Sequence, residues 1–291
     1  MIRACIVHHP RVDPAHAEAA LAAAGIESWS QLRDLDGAAA GKRLARTDLV
    51  VTLGGDGTFL RGARLALPHD LPVLGVNHGR LGMLTELDPA GLEVGIARYL
   101  AGDYRVEERT AISSELRRAG GVVEKCLGLN ETMVHRAASL KLIRLALSMD
   151  NLEIGTIDAD GALVATASGS TAYALALGGP ILEPTLPDLV LVPMNPFALT
   201  VRPIVLNPGV HVAIKLIGNA AGVTTDGYVN WRALAGDELR VAAYPSRLKV
   251  IRFRGPAEFY RVLREKIGWG APLVPRPPGT AIENAEVTPG S

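Results

Sequence analysis

An α/β plus all-β chain is expected, with an N-terminal Rossmann-like α/β domain followed by a C-terminal β-sandwich-type domain. Three observations predict it. Residues 1 to 105 alternate strand and helix signals, the βαβ pattern of a parallel sheet. From about Tyr104 the chain turns to period-two or continuous β runs parted by Gly, Asp and Pro, as in an all-β sandwich. Within the first pattern, the apolar run Asp48 to Leu53 ends abruptly in Gly54-Gly55-Asp56-Gly57-Thr58. Open α/β sheets carry their ligands at such strand ends.

In order, Arg3 to Val7 is a short β-branched run, and Asp13 with Pro14 supplies a cap and first-turn proline for an alanine-rich helix closed by Gly25. The strand Asp48 to Leu53 follows, then a helix from about Phe59 to Ala66, a buried strand Pro72 to Val76 and a helix Pro89 to Leu100. Strands are expected at Val106 to Leu116, Val122 to Gly128, Leu140 to Met149, Leu199 to Leu206, His211 to Ile217 and Leu239 to Tyr244. Helical spacing returns over Ala257 to Trp269, where Phe259, Val262, Leu263 and Ile267 share one face; this last helix is expected to return to the N-terminal domain. The stretch from Gly270 holds five prolines without hydrophobic periodicity and reads as a disordered tail. The expected domains are therefore 1–105, a β-rich 106–254, the helix 255–269 and the tail 270–291.

Composition narrows the function. A chain of 291 residues can bury a large core without disulfides, and its two cysteines, Cys5 and Cys126, sit in apolar runs with no Cys or His at metal-ligand spacing. They read as buried thiols in a reducing compartment, and no protein metal-ligand set is expected. Thirty basic and thirty acidic residues give zero formal net charge, which excludes an overall electrostatic footprint for nucleic acid or an anionic membrane. With neither a basic leader nor about 18 uninterrupted apolar residues, a soluble cytoplasmic protein is expected.

Glycines at 54, 55 and 57 permit φ > 0 and close approach of the backbone to a ligand, while clustered N–H groups there favour phosphate. Asp56 does not fit anion capture. A carboxylate repels phosphate, so its presence points to metal binding or proton abstraction beside a phosphate, although the same residues also make an ordinary turn. Asn130-Glu131 follows the apolar Cys126 to Leu129 and is placed at a strand end. Asp160-Gly161, then Thr166-Ala167-Ser168-Gly169-Ser170-Thr171-Ala172-Tyr173, clusters hydroxyls and glycine before a helix-like Ala172 to Leu177, giving capping groups and free N–H donors. Arg202, before Pro203, could pair a buried carboxylate or reach a phosphate, and a structural ion pair is the preferred reading.

Taken in order, these motifs resemble the NAD kinase family over roughly residues 1 to 269. Gly54 to Thr58 is similar to the family's Gly-Gly-Asp-Gly-Thr, and Gly75-Val76-Asn77-His78-Gly79-Arg80-Leu81-Gly82-Met83-Leu84-Thr85-Glu86 to its Gly-Ile-Asn-x-Gly-x-Leu-Gly-Phe-Leu-Thr segment. Asn130-Glu131, Asp160-Gly161, Gly169 to Tyr173, Gly178 to Ile181, Arg202-Pro203 and Leu263 to Trp269 match in the same order. The ordered set is far more specific than any one motif.

The resemblance implies transfer of the γ-phosphate of ATP, or of a polyphosphate phosphoryl group, to the 2′-hydroxyl of the adenosine ribose of NAD, forming NADP. It implies Asp56 as the catalytic base, because a ribose hydroxyl is a poor nucleophile until its proton is taken. Gly54, Gly55, Gly57 and Thr58 become phosphate-binding, and a divalent metal ion, Mg²⁺, is implied as cofactor. NAD-binding positions implied are Asp56, Gly57, Arg61, Asn130, Glu131, Lys141, Asp158, Asp160, Thr171, Ala172, Tyr173, Ala174, Leu175 and Ala176. A homodimer or homotetramer is also implied.

The chain departs from the family where Ala167 replaces proline, Met83 a common Phe, Ala176 a frequent Ser and Tyr228 a frequent Gln. These changes bear on affinity and on NAD against NADH preference. Lipid and sugar kinases share the Gly-Gly-Asp-Gly turn, and a non-catalytic dinucleotide sensor would keep the binding residues. Balanced charge with Asn130, Asp160 and Tyr173 argues against the first, and Asp56 against the second.

Overall fold

The computed structural model describes residues 1–31, 38–79, 82–137 and 141–270. The tail expected from 270 falls almost wholly outside them, as do Arg80, Leu81 and Leu140. The described chain divides into a body of residues 1–254 and a separate one from Gly255 on.

In the first body, β1 (Arg3–His8), α1 (Ala15–Ala23), β2 (Glu27–Gln31), α2 (Ala38–Leu44), β3 (Leu49–Gly54), α3 (Asp56–Ala66), β4 (Val73–Asn77) and α4 (Leu92–Leu100) follow the expected alternation. Every residue of β3 and β4 is buried, because helices cover both faces of the parallel strands. Ala17 and Leu21 of α1 with Leu92 and Ile96 of α4 pack one face against Ala4, Ile6, Val51 and Leu74. Phe59, Leu60, Ala63 and Ala66 of α3 pack the other against Cys5, Val7 and Val50.

Next come β5 (Arg105–Arg109), β6 (Ile112–Arg118), β7 (Gly121–Gly128), β8 (Glu131–Arg136), β9 (Ile143–Met149), β10 (Leu152–Ala159), β11 (Gly161–Thr166), the four-residue α5 (Tyr173–Ala176), β12 (Leu189–Met194), β13 (Ile204–Leu206), β14 (Val212–Leu216), β15 (Ala221–Thr225), β16 (Val229–Ala233), β17 (Glu238–Ala243) and β18 (Leu248–Arg252). Two antiparallel six-stranded sheets, β10-β9-β14-β17-β6-β7 and β13-β12-β11-β8-β15-β16, face each other. Leu116, Leu145, Ile214 and Val241 of one interdigitate with Val134, Val164, Leu191 and Val223 of the other, the aliphatic core of a β-sandwich.

Two features of the strand pairing were not expected from the sequence. The first sheet runs β2-β1-β3-β4-β18-β5, so β5 and β18, both read from sequence as part of the β-rich segment, hydrogen-bond into the α/β sheet. The inward positions of β5 are the charged Glu107 and Arg109, and their partner on β18 is Arg252, so no apolar alternation announces the pairing. The single run expected over Val106 to Leu116 accordingly breaks between β5 and β6. Strand β11, which was not among the strands expected from sequence, lies centrally in its sheet with all six residues buried. Helix α3 starts at Asp56, three residues earlier than expected, which moves the acid from a turn into a helix's first turn. In the second body, α6 (Glu258–Ile267) ends at Gly268 with φ 68, a left-handed C-cap suited to glycine.

Candidate active site

Strand order reverses between β1 and β3, which open toward β2 and β4 respectively, so a crevice is expected at their C-terminal ends. A cleft of about 400 Å³ opens there, lined by His9 after β1, by Gly55, Gly57, Thr58 and Arg61 of the β3–α3 junction, and by Arg64, Asp226 and Tyr228. Of the three glycines, only Gly54 is required by the protein's own packing: a Cβ there would meet Thr58 Oγ1 at 2.3 Å, whereas Gly55 and Gly57 face open space. That space leaves the backbone approachable by a ligand.

Asp56 does not cap its own helix. Its carboxylate turns back across the loop after β4 and accepts the N–H groups of Met83 (2.9 Å to Oδ2) and Leu84 (3.2 Å to Oδ1). Both oxygens are thereby oriented while retaining lone pairs. Gly82 makes the approach possible, since a Cβ at that position would lie 2.1 Å from Asp56 Oδ1 and 2.5 Å from Thr85 Oγ1. Gly82→Ala is expected to displace the carboxylate and cut turnover by about tenfold or more, a loss in the range of misplaced catalytic groups. Steady-state kinetics check this, and an unchanged kcat would show that the Asp56 orientation does not matter.

The second half of the site is the start of β8. Asp226, in a left-handed turn with φ 49, buries its carboxylate beneath that start and accepts N–H bonds from Leu129 (2.9 Å), Asn130 (2.9 Å) and Glu131 (3.1 Å). Arg64, two turns along α3 from Asp56, reaches the same carboxylate at 3.5 Å and lies over the Tyr228 ring at 4.5 Å. Asp226 therefore joins the Asn130-Glu131 pair to the helix that carries Asp56. Its importance and that of Arg64 were not legible in the sequence; the only signal was an Asp-Gly turn, which is common.

Asn130 and the hydroxyl-rich stretch are held together by backbone. Thr166 N–H donates to Asn130 O (2.9 Å), Thr166 Oγ1 to Leu129 O (2.5 Å), and a Cβ on Gly169 would lie 2.0 Å from Asn130 O. Thr171 and Ala172 are half-buried, Tyr173 and Ala176 exposed, and Leu175 half-buried, while the Ala174 methyl faces a core with Leu163 and Val190. The Tyr173 N–H bonds the Glu131 carboxyl.

Glu131 is 7% exposed and its Oε2 has no hydrogen-bond partner. Burial, and then the neighbouring Asp226 charge, push its carboxyl from 4.5 up to about 8. Between those pH values an unfolded chain releases a proton that the folded chain keeps, so this residue's contribution to stability is present below 4.5 and is lost as pH rises through about 8. Glu131→Gln removes the penalty: its Tm relative to the parent is expected to rise between pH 5 and pH 9, and a constant difference would contradict a buried, neutral Glu131.

Three implied positions lie elsewhere. In the β8–β11 register Glu131 faces Ala165 whereas His135 faces Gly161, so Asp160 sits about 15 Å along the strands from Glu131 at ~3.3 Å per residue. Asp160 pairs with Arg136 (2.8 Å) and Asp158 with Arg144 (2.8 Å), and Lys141 is exposed before β9. Arg202, expected in an ion pair, instead donates to the carbonyls of Leu199 and Val201 in an exposed loop.

The sequence and the fold are matched in known proteins. The model of the ATP-NAD kinase N-terminal domain matches residues 11–104 and that of the ATP-NAD kinase C-terminal domain residues 129–253. The NAD kinase of Heliobacterium modesticaldum is 41% identical over 230 residues, 78% of this chain and 81% of that one. The chain belongs to the NAD kinase family. The NAD kinase of Gemmatimonas aurantiaca is 38% identical over 81% of this chain and 83% of its own. Among solved structures, an NAD kinase from Archaeoglobus fulgidus in complex with ATP superposes with a TM-score of 0.74 at 27% identity, covering 90% of this chain and 97% of that one. Yeast NADH kinase complexed with NADH shares the fold at a TM-score of 0.84 and 22% identity, over 94% and 89% of the two chains. The expected enzyme class and the α/β plus β-sandwich architecture of an NAD kinase are thus both found.

Proposed function

We propose that Asp56 is the general base in this NAD kinase, taking the proton of the NAD 2′-hydroxyl as a phosphoryl group arrives from ATP or polyphosphate. The carrying observation is its carboxylate, fixed by two backbone donors beside the switch-point cleft. A base must be oriented before its basicity is useful. Gly54, Gly55, Gly57 and Thr58 at the N-terminus of α3 supply the phosphate side, with Arg61 on the same cleft wall. Asn130 and Glu131 with the 171–176 segment supply the dinucleotide side, where polar pairing discriminates strongly between related ligands.

Among the described residues no three His, Cys, Asp or Glu side chains converge on a metal position. Asp56 is the carboxylate of residues 54–58 that would hold an Mg²⁺ whose other ligands are phosphate oxygens and water, the oxygen donors that ion prefers. When bound, the ion supplies charge neutralisation on the phosphates.

Homo-oligomeric assembly is the reading that the far end of the sandwich supports. Asp158 O accepts the N–H of Phe197, and around it Phe197, Leu199, Ile204, Val205, Leu152 and Ile154 are exposed on the edge strands and the loop between β12 and β13. A second copy covering this apolar edge would bring its dinucleotide toward Asp158 and Asp160, which sit along the strands from Glu131 of their own chain. No helix among the described residues is long and apolar enough to cross a membrane, and a cytoplasmic setting is proposed from the reduced, buried state of Cys5 and the half-buried Cys126.

An acceptor panel tests the reading. NAD and NADH are offered beside a diacylglycerol, a long-chain amino alcohol and a sugar phosphate, each with ATP or polyphosphate. Phosphorylation confined to the dinucleotides is expected; faster transfer to a lipid or sugar would overturn it.

A further inference from the structure

Behind the site, four buried charged side chains form one connected network. Glu86, Glu107, Arg109 and Arg252 are each 8% exposed or less. Arg252 Nε donates to Glu107 Oε1 at 3.1 Å, and Arg109 Nε donates to the same oxygen at 2.8 Å. Arg105 reaches the other Glu107 oxygen at 2.9 Å. Although burial opposes it, Arg109 and Arg252 hold the Glu107 carboxyl at about 2.

Each arginine has an arm left over. Arg252 Nη1 donates to Leu84 O (3.0 Å), Thr85 O (3.4 Å) and Glu86 Oε2 (3.2 Å), gripping the segment whose Met83 and Leu84 N–H groups hold Asp56. Glu86 in turn accepts the N–H groups of Phe253 (2.7 Å) and Arg254 (2.9 Å), closing the grip from the β18 side. Arg109 Nη1 donates to Ser168 Oγ at 3.1 Å, inside the hydroxyl-rich stretch that packs on Asn130. A guanidinium only donates, so Ser168 Oγ is the acceptor and its own proton is left for another oxygen.

A buried charge network is a costly way to gain stability, because desolvation cancels most of the attraction. Hydrophobic residues would pack β5 against β18 equally well. What they could not do is send directed donors to two separate loops. We propose that Glu107 and the two arginines it holds, Arg109 and Arg252, are positioning residues for phosphoryl transfer, one arm setting the loop that orients Asp56 and the other setting Ser168. The inference rests on the NAD kinase reading of that site.

The test compares steady-state kinetics and Tm for Arg252→Lys, Arg109→Lys, Ser168→Ala and the Arg109→Lys/Ser168→Ala double variant, with the parent chain in the same assay. Lysine keeps one positive charge facing Glu107 but cannot reach both partners. Arg252→Lys is expected to lower kcat by about tenfold with KM for NAD nearly unchanged, the effect of losing a charge-assisted bond on the catalytic loop. Arg109→Lys and Ser168→Ala are each expected to raise KM for NAD by about tenfold, and the double variant to be no worse than Ser168→Ala alone. Effects that multiply in the double variant, or variants that lose Tm with kcat and KM unchanged, would overturn the proposal. Ser168→Ala leaves the ion network whole, so an unchanged KM there overturns the Arg109 arm even where a lysine variant fails to fold. Failure of the functional reading itself would show in the parent, as no NADP at all.

Discussion

Asp56→Asn is expected to lower turnover by roughly a hundredfold or more while leaving NAD binding within about threefold. Asparagine is nearly the same size and its Oδ1 can still accept one of the two N–H bonds from Met83 and Leu84, so the loop stays close to its present place. What disappears is the capacity to take a proton. Measuring kcat by NADP formation and NAD affinity by calorimetry separates the two roles. An unchanged kcat would mean that the base lies elsewhere. Equal losses in affinity and rate would make the residue a binding group.

Asp226→Ala is expected to have the largest effect on stability. The substitution strands three backbone donors and leaves the Arg64 guanidinium, with its Nη1 already without a hydrogen-bond partner, facing an apolar gap. Removing one partner of a buried ionic contact costs about 3–5 kcal/mol. For a chain of this size that is a fall in Tm of roughly 10 °C. Asp226→Asn, which can still accept from part of the cluster, should lie between the two. A thermal melt of both variants decides: an alanine variant as stable as the parent would show that Asn130 and Glu131 are held by something other than Asp226.

The first sheet was legible because parallel strands covered by helices write themselves as continuous apolar runs, such as Leu49 to Leu53 and Val73 to Val76. Its last two strands were not. Glu107 and Arg109 fill the inward positions of β5, so it shows no hydrophobic period, and the short β18 answers them with the buried Arg252. Asp56, Asn130 and Glu131 could be named from motif order, and the fold brings their two loops to one helix through Arg64 and Asp226. The devices that hold them, Gly82 against the carboxylate and Asp226 under β8, depend on contacts between residues 26 and 96 positions apart, which no local pattern records. Asp158 and Asp160 illustrate the opposite case. Their identity was available from sequence, yet strand register puts Asp160 beside Arg136 at the far end of β8 and Asp158 on β10 of the other sheet, so their part in the site becomes a question of assembly.

The most direct measurement incubates the purified chain with Mg²⁺, ATP or polyphosphate, and NAD, and locates the new phosphate on the product by ³¹P and proton NMR. The account predicts a monoester on the 2′-hydroxyl of the adenosine ribose, formed by the parent chain and reduced about a hundredfold or more in Asp56→Asn. No NADP above the enzyme-free control with either donor, or a phosphate at another hydroxyl, would contradict it.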